Sequence, residues 1–144
     1  MNQNDFLKDW IINFAKYKDI LTKNIIEIVE NPLTIKFKDK EVAYLTEPKL
    51  NDGLMQKIGE NKCVVTLNTK ENFDFFAKHF NEFSKFKGLV FYFINPFSNL
   101  DKKWVVQPYV HAQIADNASL KTGLKSMFET VDLLNEEEIN EKFK

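Results

Sequence analysis

The chain has 144 residues, a formal net charge of −1 and a single cysteine, Cys63. This length favours one domain with a sizeable core, and the near-zero charge excludes a strong global attraction to nucleic acid or to acidic membranes. One cysteine excludes an internal disulfide and suits a reducing compartment, so Cys63 reads as a small core residue. No stretch approaches the roughly 20 apolar residues of a membrane helix, and we expect a soluble, cytoplasmic protein.

The first third of the chain predicts a helix followed by strands. Asn4 or Asp5 can cap a helix that ends near Leu21, with apolar side chains at helical spacing. Residues 24–30 fit either a strand or more helix, and their β-branched content favours a strand. Two alternating stretches within residues 33–45, separated by a polar turn, predict a hairpin at the solvent side of a sheet.

The middle of the chain predicts a βαβ unit over residues 62–94. The apolar runs 62–67 and 88–94 are typical of strands covered on both faces. Between them, phenylalanines at helical spacing mark the inward stripe of a helix over 70–85. A crossover of this kind is right-handed and joins parallel strands, and residues 42–67 resemble a preceding unit of the same type.

The last third predicts an antiparallel strand, a helix and a tail. The loop 96–103 is too short for a helical crossover, so the strand beginning at Trp104 should be antiparallel, with Pro108 suggesting a sheet edge. A last helix should start near residues 117–119, and residues 132–144 read as a polar C-terminal tail, frayed or disordered.

Together these elements predict an α/β fold, with α+β as the alternative. We expect a single domain over residues 1–131, with a mixed sheet of about five or six strands and helices on both faces. The βαβ unit 62–94 should lie at its centre, with residues 88–94 as the central strand.

Polar side chains follow the predicted parallel strands. Glu47, Asn68, Thr69, Asn95 and Ser98 all stand where such a strand ends. Ligands of open parallel sheets bind outside the carboxyl ends of the strands, and the helix after Asn68 and Thr69 offers free amides to an anion. These five residues are therefore candidate ligand-binding residues. The alternative is that they are ordinary caps and turn residues, and no glycine-rich phosphate loop supports the ligand interpretation.

The candidate catalytic cluster is Tyr109, His111 and Lys121. Tyr109 and His111 would share a face if the strand continued past Pro108. Such residues could cleave RNA by metal-free acid–base chemistry, with lysine stabilising phosphate charge. Some tRNA-intron endonucleases use the same residue types, which is a chemical analogy only. The alternative is that His111 hydrogen-bonds a loop while Lys121 and Lys125 lie on the solvated face of a helix.

A metal-dependent nuclease needs converging carboxylates and a lysine. The element order also resembles restriction-endonuclease-like folds, whose pattern is an acid-x-Lys pair after an upstream acid. The only local candidate is Glu60-Asn61-Lys62 with Asp52 or Glu47 upstream, and Glu60 would lie at the beginning of a strand. One cysteine and two histidines do not suggest a structural zinc site, and we assign no metal ligands.

The sequence leaves two function classes open and indicates no cofactor. The first is an enzyme or ligand-binding domain acting on phosphate-containing or nucleic-acid substrates, although the net charge does not indicate nucleic acid. The second is a non-catalytic interaction module that binds a protein partner or a second copy of the chain, as in a homodimer.

Overall fold

The computed structural model describes residues 2–114 and 116–143 of the chain. In these residues the fold is organised around a six-stranded sheet with the order β1-β2-β3-β4-β5-β6. The strands are β1 (Ile25–Glu30), β2 (Leu33–Phe37), β3 (Glu41–Thr46), β4 (Lys62–Leu67), β5 (Val90–Ile94) and β6 (Lys103–Val106). The α-helices are α1 (Gln3–Thr22), α2 (Lys70–Lys78), α3 (Phe80–Phe83), α4 (Pro108–Ile114), α5 (Asn117–Glu129) and α6 (Glu136–Lys142), and a 3₁₀ helix spans Asp52–Gln56.

The strand directions confirm the predicted α/β class with a mixed sheet. β3, β4 and β5 are parallel, while β1–β2, β2–β3 and β5–β6 are antiparallel pairs. α2 and α3 form the crossover of the expected βαβ unit, and residues 25–30 form a strand. β5 is paired on both sides but lies next to the edge strand β6, so it is not the central strand. The middle of the sheet is at β3 and β4.

Each face of the sheet has its own core, because consecutive side chains of a strand point to opposite faces. On the side that we call the α1 face, Leu7 and Ile11 of α1 pack with strand residues such as Val65. On the side that we call the phenylalanine face, the helices α2, α3 and α5 cover a largely aromatic core. Its fully buried rings are those of Phe76, Phe83, Phe91 and Phe93. Helices therefore cover both faces, as predicted.

The phenylalanine-lined helix is shorter than the sequence predicts. The spacing predicts one helix over 70–85, but the structure divides it into α2 and α3 at His79. The backbone of His79 has φ −103° and ψ 14°, which lies outside the α-helical region and ends the hydrogen-bond ladder of α2. Phe80 and Phe83 are still buried beyond the break, so the inward stripe continues.

The C-terminal residues pack into the fold, which corrects the expected frayed or disordered tail from residue 132 onward. Leu134, which lies in this stretch, is only 1% exposed. The Leu134 amide donates to the Asn68 carbonyl oxygen at 3.0 Å, and Asn135 caps α6 with its side chain. The local sequence does not predict this packing, because Leu134 stands in a mostly polar stretch and finds its partners only after the sheet has formed.

Two glycines give a matched test of backbone strain. Gly88 has φ +80°, and an added Cβ would collide with the side-chain oxygen of Asn61. Gly123 lies in α5, where an added Cβ meets nothing within 4 Å. We expect Gly88→Ala to lower the free energy of unfolding by about 2 kcal/mol, since both the left-handed backbone and the collision oppose a methyl group.

Gly123→Ala is the control and should raise the free energy of unfolding by roughly 0.5–1 kcal/mol, because alanine has the higher helix propensity. Urea denaturation of both variants measures the difference. An unchanged or raised free energy of unfolding in Gly88→Ala would contradict the left-handed backbone of Gly88.

Candidate functional site

The structure brings together three of the five strand-end candidates, Asn68, Asn95 and Ser98. They are 0%, 2% and 4% exposed at the carboxyl ends of β4 and β5. Their partner is the chain itself: Asn68 Nδ2 donates to the Val131 carbonyl oxygen at 3.1 Å, and Asn95 Nδ2 donates to that of Asp132 at 2.8 Å. Ser98 Oγ accepts from the Asp132 amide at 3.1 Å. The C-terminal chain thus fills the place where a ligand of a parallel sheet would bind.

The other two candidates have local roles. Thr69 is the N-cap of α2, and its hydroxyl accepts from the Asn72 amide at 3.1 Å. Glu47 pairs with Lys57, whose ammonium lies 3.0 Å from a carboxylate oxygen. Asn72, which the sequence does not single out, is 2% exposed and donates to the Leu67 carbonyl oxygen at 2.9 Å. These contacts agree with the interpretation of the strand-end residues as caps and turn residues.

Tyr109 and His111 are not on a shared strand face, which corrects the premise of the catalytic cluster. Pro108 is the first residue of α4, since its fixed φ and missing amide suit the first turn of a helix. Tyr109 and His111 stand two positions apart on this helix and therefore point to different sides of it. His111 Nδ1 lies 2.9 Å from the Gln107 carbonyl oxygen, while Lys121 is exposed on α5.

The acid-x-Lys candidate gains no support from its contacts. The ammonium of Lys62 donates to the Lys57 carbonyl oxygen at 2.8 Å, and Glu47 pairs with the Lys57 ammonium. Asp52 is the first residue of the 3₁₀ helix. Within the described residues, no group of three or more His, Cys, Asp or Glu side chains is placed to hold a metal ion.

An open groove lies on the α1 face, where α1 leaves part of the sheet uncovered. α1 begins beside Thr46 at the carboxyl end of β3, to which Asn4 is hydrogen-bonded, and it ends at the start of β1. The groove has a volume of about 660 Å³, and we call it the sheet groove. Its floor consists of side chains from four neighbouring strands: Val42, Tyr44, Cys63, Val90, Tyr92 and Val105.

The turn from α1 into β1 fixes one wall of this groove. The carboxylate of Asp19 accepts from the amide of Asn24 at 2.6 Å and from the amide of Ile25 at 3.1 Å. Desolvation raises the pKa of Asp19, but these hydrogen bonds to the charged form outweigh it, so its pKa lies below the ordinary value. A recess of about 160 Å³ beside this turn, which Asp19 also lines, shares six residues with the sheet groove: Phe14, Lys18, Asn24, Phe37, Tyr44 and Tyr92.

The charged residues lining the sheet groove are all basic. They are Lys18, Lys40, Lys62 and Lys103, with no carboxylate among the described lining residues, although the chain has 20 basic and 21 acidic residues. The ammonium groups of Lys18 and Lys103 lie 5.5 and 5.1 Å from the ring centre of Phe14. That of Lys40 lies 5.7 Å from the ring centre of Phe37.

These cation–π distances place three ammonium groups at the groove with their N–H donors still available. No salt bridge within the described residues involves Lys18, Lys40 or Lys103. Lys62 differs, because its ammonium already donates to a backbone carbonyl.

The floor of the groove is uncharged at neutral pH. Burial raises the pKa of Tyr92 to about 12, and burial, with a smaller contribution from Cys63, raises the pKa of Tyr44 above its ordinary value. Burial likewise raises the pKa of the Cys63 thiol. The tyrosine hydroxyls therefore stay protonated and can act as hydrogen-bond donors to an anionic or polar ligand.

The sequence contains part of the signal for this groove. Val42 and Tyr44, like Val90 and Tyr92, alternate with residues of the other face, so their shared side of the sheet can be read from the spacing. The spacing does not show that this side of the sheet stays uncovered, because that depends on the path of α1 across the sheet.

Comparisons of the chain with protein-family models, with curated proteins and with solved structures found no match. No helix in the described part of the chain has both the length and the apolar character needed to cross a bilayer. The fold and the groove together define a mixed α/β protein with an open, lysine-lined aromatic surface.

Proposed function

We propose that the sheet groove binds a phosphate-containing ligand that carries an aromatic ring, as nucleotides and nucleic acids do. The observation that carries this proposal is the set of three lysine ammonium groups, those of Lys18, Lys40 and Lys103. They lie around a floor that contains two tyrosines and no carboxylate. A cytoplasmic location is part of the proposal, because the buried, unpaired Cys63 suits a reducing compartment.

The two parts of such a ligand match two parts of the groove. A phosphate can accept hydrogen bonds from Lys18 and Lys103, which both lie beside Phe14. A base can stack on the exposed part of a floor ring such as Tyr92, whose neutral hydroxyl can donate to a base edge.

The groove favours binding over hydrolysis. Its described lining contains no histidine or carboxylate to act as a general base, and the raised pKa of Tyr92 keeps that phenol protonated at neutral pH. The cluster of Tyr109, His111 and Lys121 offers no substitute, because α4 directs Tyr109 and His111 to different sides.

Equilibrium dialysis with ATP tests the proposal. The double variant Lys18→Glu with Lys103→Glu should weaken ATP binding by at least about tenfold, because two charge-assisted contacts are lost and repulsion is added. The matched control is Lys78→Glu with Lys125→Glu, the same charge change on exposed residues of helices on the phenylalanine face, and it should leave binding unchanged. Equal weakening in both double variants, or no binding to the native chain, would overturn the proposal.

The second candidate function is a protein-interaction module. Tyr17, Ile20 and Leu21 on the last turns of α1 are 73%, 64% and 92% exposed. Large apolar side chains grouped in this way are typical of surfaces that bind a protein partner or a second copy. Light scattering of the native chain tests whether this surface binds a second copy. A monomer at all measured concentrations would exclude that form of the hypothesis.

A further inference from the structure

We propose that the ligand of the sheet groove is single-stranded nucleic acid, held at both ends of the groove at once. This deepens the proposed function and rests on the groove being the ligand site. The separation of the lysines and the position of the tyrosines between them both favour a polymer over an isolated nucleotide.

The groove has two basic ends, each built on a phenylalanine ring. At the Phe14 end, the ammonium groups of Lys18 and Lys103 lie 5.5 and 5.1 Å from the ring centre. At the Phe37 end, the ammonium of Lys40 lies 5.7 Å from the ring centre. Each end presents donors to a phosphate. The carboxylate of Asp19, in the recess that Phe14 and Phe37 also line, already accepts from the Asn24 and Ile25 amides.

The outer lysines of the two ends, Lys40 and Lys103, start from distant strands of the sheet, although Phe14 and Phe37 both line the recess beside the groove. Lys40 directly precedes β3 and Lys103 opens β6, so three strand-to-strand steps separate their backbones. Neighbouring strands lie about 4.8 Å apart, which gives a lateral separation of roughly 14 Å. Lys103 also pairs with Ile94 at the carboxyl end of β5, whereas Lys40 precedes the amino end of the parallel strand β3. A nucleotide chain, with a phosphate at every step, can meet both ends.

The tyrosines occupy the middle of this path. Tyr44 on β3 pairs with Cys63, and Tyr92 on β5 pairs with Val65, so the two rings flank β4. Both belong to the groove floor. Aromatic side chains stack on the faces of unpaired bases, which a duplex keeps inside its own helix, and this favours a single strand.

The lysines set the expected dependence on salt. The net charge of −1 gives no long-range attraction, so binding depends on the local contacts of Lys18, Lys40 and Lys103. Each phosphate contact on a single strand contributes about −0.7 to the slope of log K against log salt concentration. Three contacts therefore predict a slope of about −2.

Fluorescence anisotropy with labelled single-stranded RNA and DNA oligonucleotides tests the inference, with ATP and a duplex of the same sequence as competitors. Lys40→Glu should weaken oligonucleotide binding by about tenfold and change ATP binding by less than about twofold, because ATP uses only the Phe14 end. Lys103→Glu should weaken both ligands. The control Lys78→Glu, on α2, should weaken neither.

Several results would overturn the inference. ATP binding as tightly as the oligonucleotide, or an unchanged oligonucleotide affinity in Lys40→Glu, would show that the ligand is not a polymer. The proposed function would then still hold. Equal competition by the duplex would exclude a preference for single strands. Equal competition by polyglutamate would assign the groove to an acidic protein. If neither ATP nor any oligonucleotide binds, the proposed function fails as well. Tighter binding of RNA or of DNA identifies which of these two nucleic acids the groove prefers.

Discussion

Replacing Asn68 with alanine is expected to lower the free energy of unfolding by about 4 kcal/mol. The side chain is fully buried, and its amide donates to the carbonyl oxygens of Val131 at 3.1 Å and Asp132 at 3.3 Å. Its oxygen accepts from Nε1 of the buried Trp104 at 2.8 Å. Alanine leaves the buried Trp104 donor and the Val131 carbonyl oxygen without this partner, while the Asp132 oxygen still accepts from Asn95. Each unsatisfied buried group costs about 1–3 kcal/mol.

Urea denaturation measures this loss, and Asn13→Ala is the matched control. Asn13 is exposed on α1, so its replacement should change the free energy of unfolding by less than about 0.5 kcal/mol. Hydrogen exchange gives a second readout, because the Leu134 amide should exchange faster in Asn68→Ala as the C-terminal chain loosens. A loss below about 1 kcal/mol in Asn68→Ala would show that water or relaxation replaces these bonds.

The parts of the fold that follow local patterns were accessible from the sequence. The apolar runs at β4 and β5 predict covered strands, and the phenylalanine spacing between them predicts the helical crossover and hence the parallel pairing. The short loop before β6 predicts its antiparallel direction. In each case the information lies within a few residues of the element concerned.

The roles of the polar residues at the strand ends could not be predicted from the sequence, because their hydrogen-bond partners are remote in the chain. Asn68, Asn95 and Ser98 stand where the positional rule for parallel sheets places a ligand, and the rule cannot distinguish a ligand from a returning stretch of backbone. That stretch is at residues 131–134, and its packing requires the finished sheet. Pro108 presents a similar ambiguity, because proline suits both a sheet edge and the first turn of a helix.

Phe76 is the centre of the aromatic core, and Phe76→Ala is expected to lower the free energy of unfolding by about 4 kcal/mol. The side chain is fully buried, and five aromatic rings lie around it. The ring centres nearest to it are those of Phe91 at 4.8 Å and Phe93 at 5.4 Å, both on β5. Removing a buried phenylalanine side chain costs about 3–5 kcal/mol, because the rigid neighbours cannot fill the cavity.

Phe75→Ala is the control that separates burial from helix propensity. Phe75 immediately precedes Phe76 in α2, so both variants replace a phenylalanine with alanine. Phe75 is only half-buried, however, and the ring nearest to it is that of His79 at 4.4 Å. Its loss should cost about 1 kcal/mol, since little apolar surface leaves a closed core. Urea denaturation of the two variants should therefore show a difference of about 3 kcal/mol. Similar losses at Phe75 and Phe76 would mean that the helix, not the packing of Phe76 on β5, sets the stability of this face.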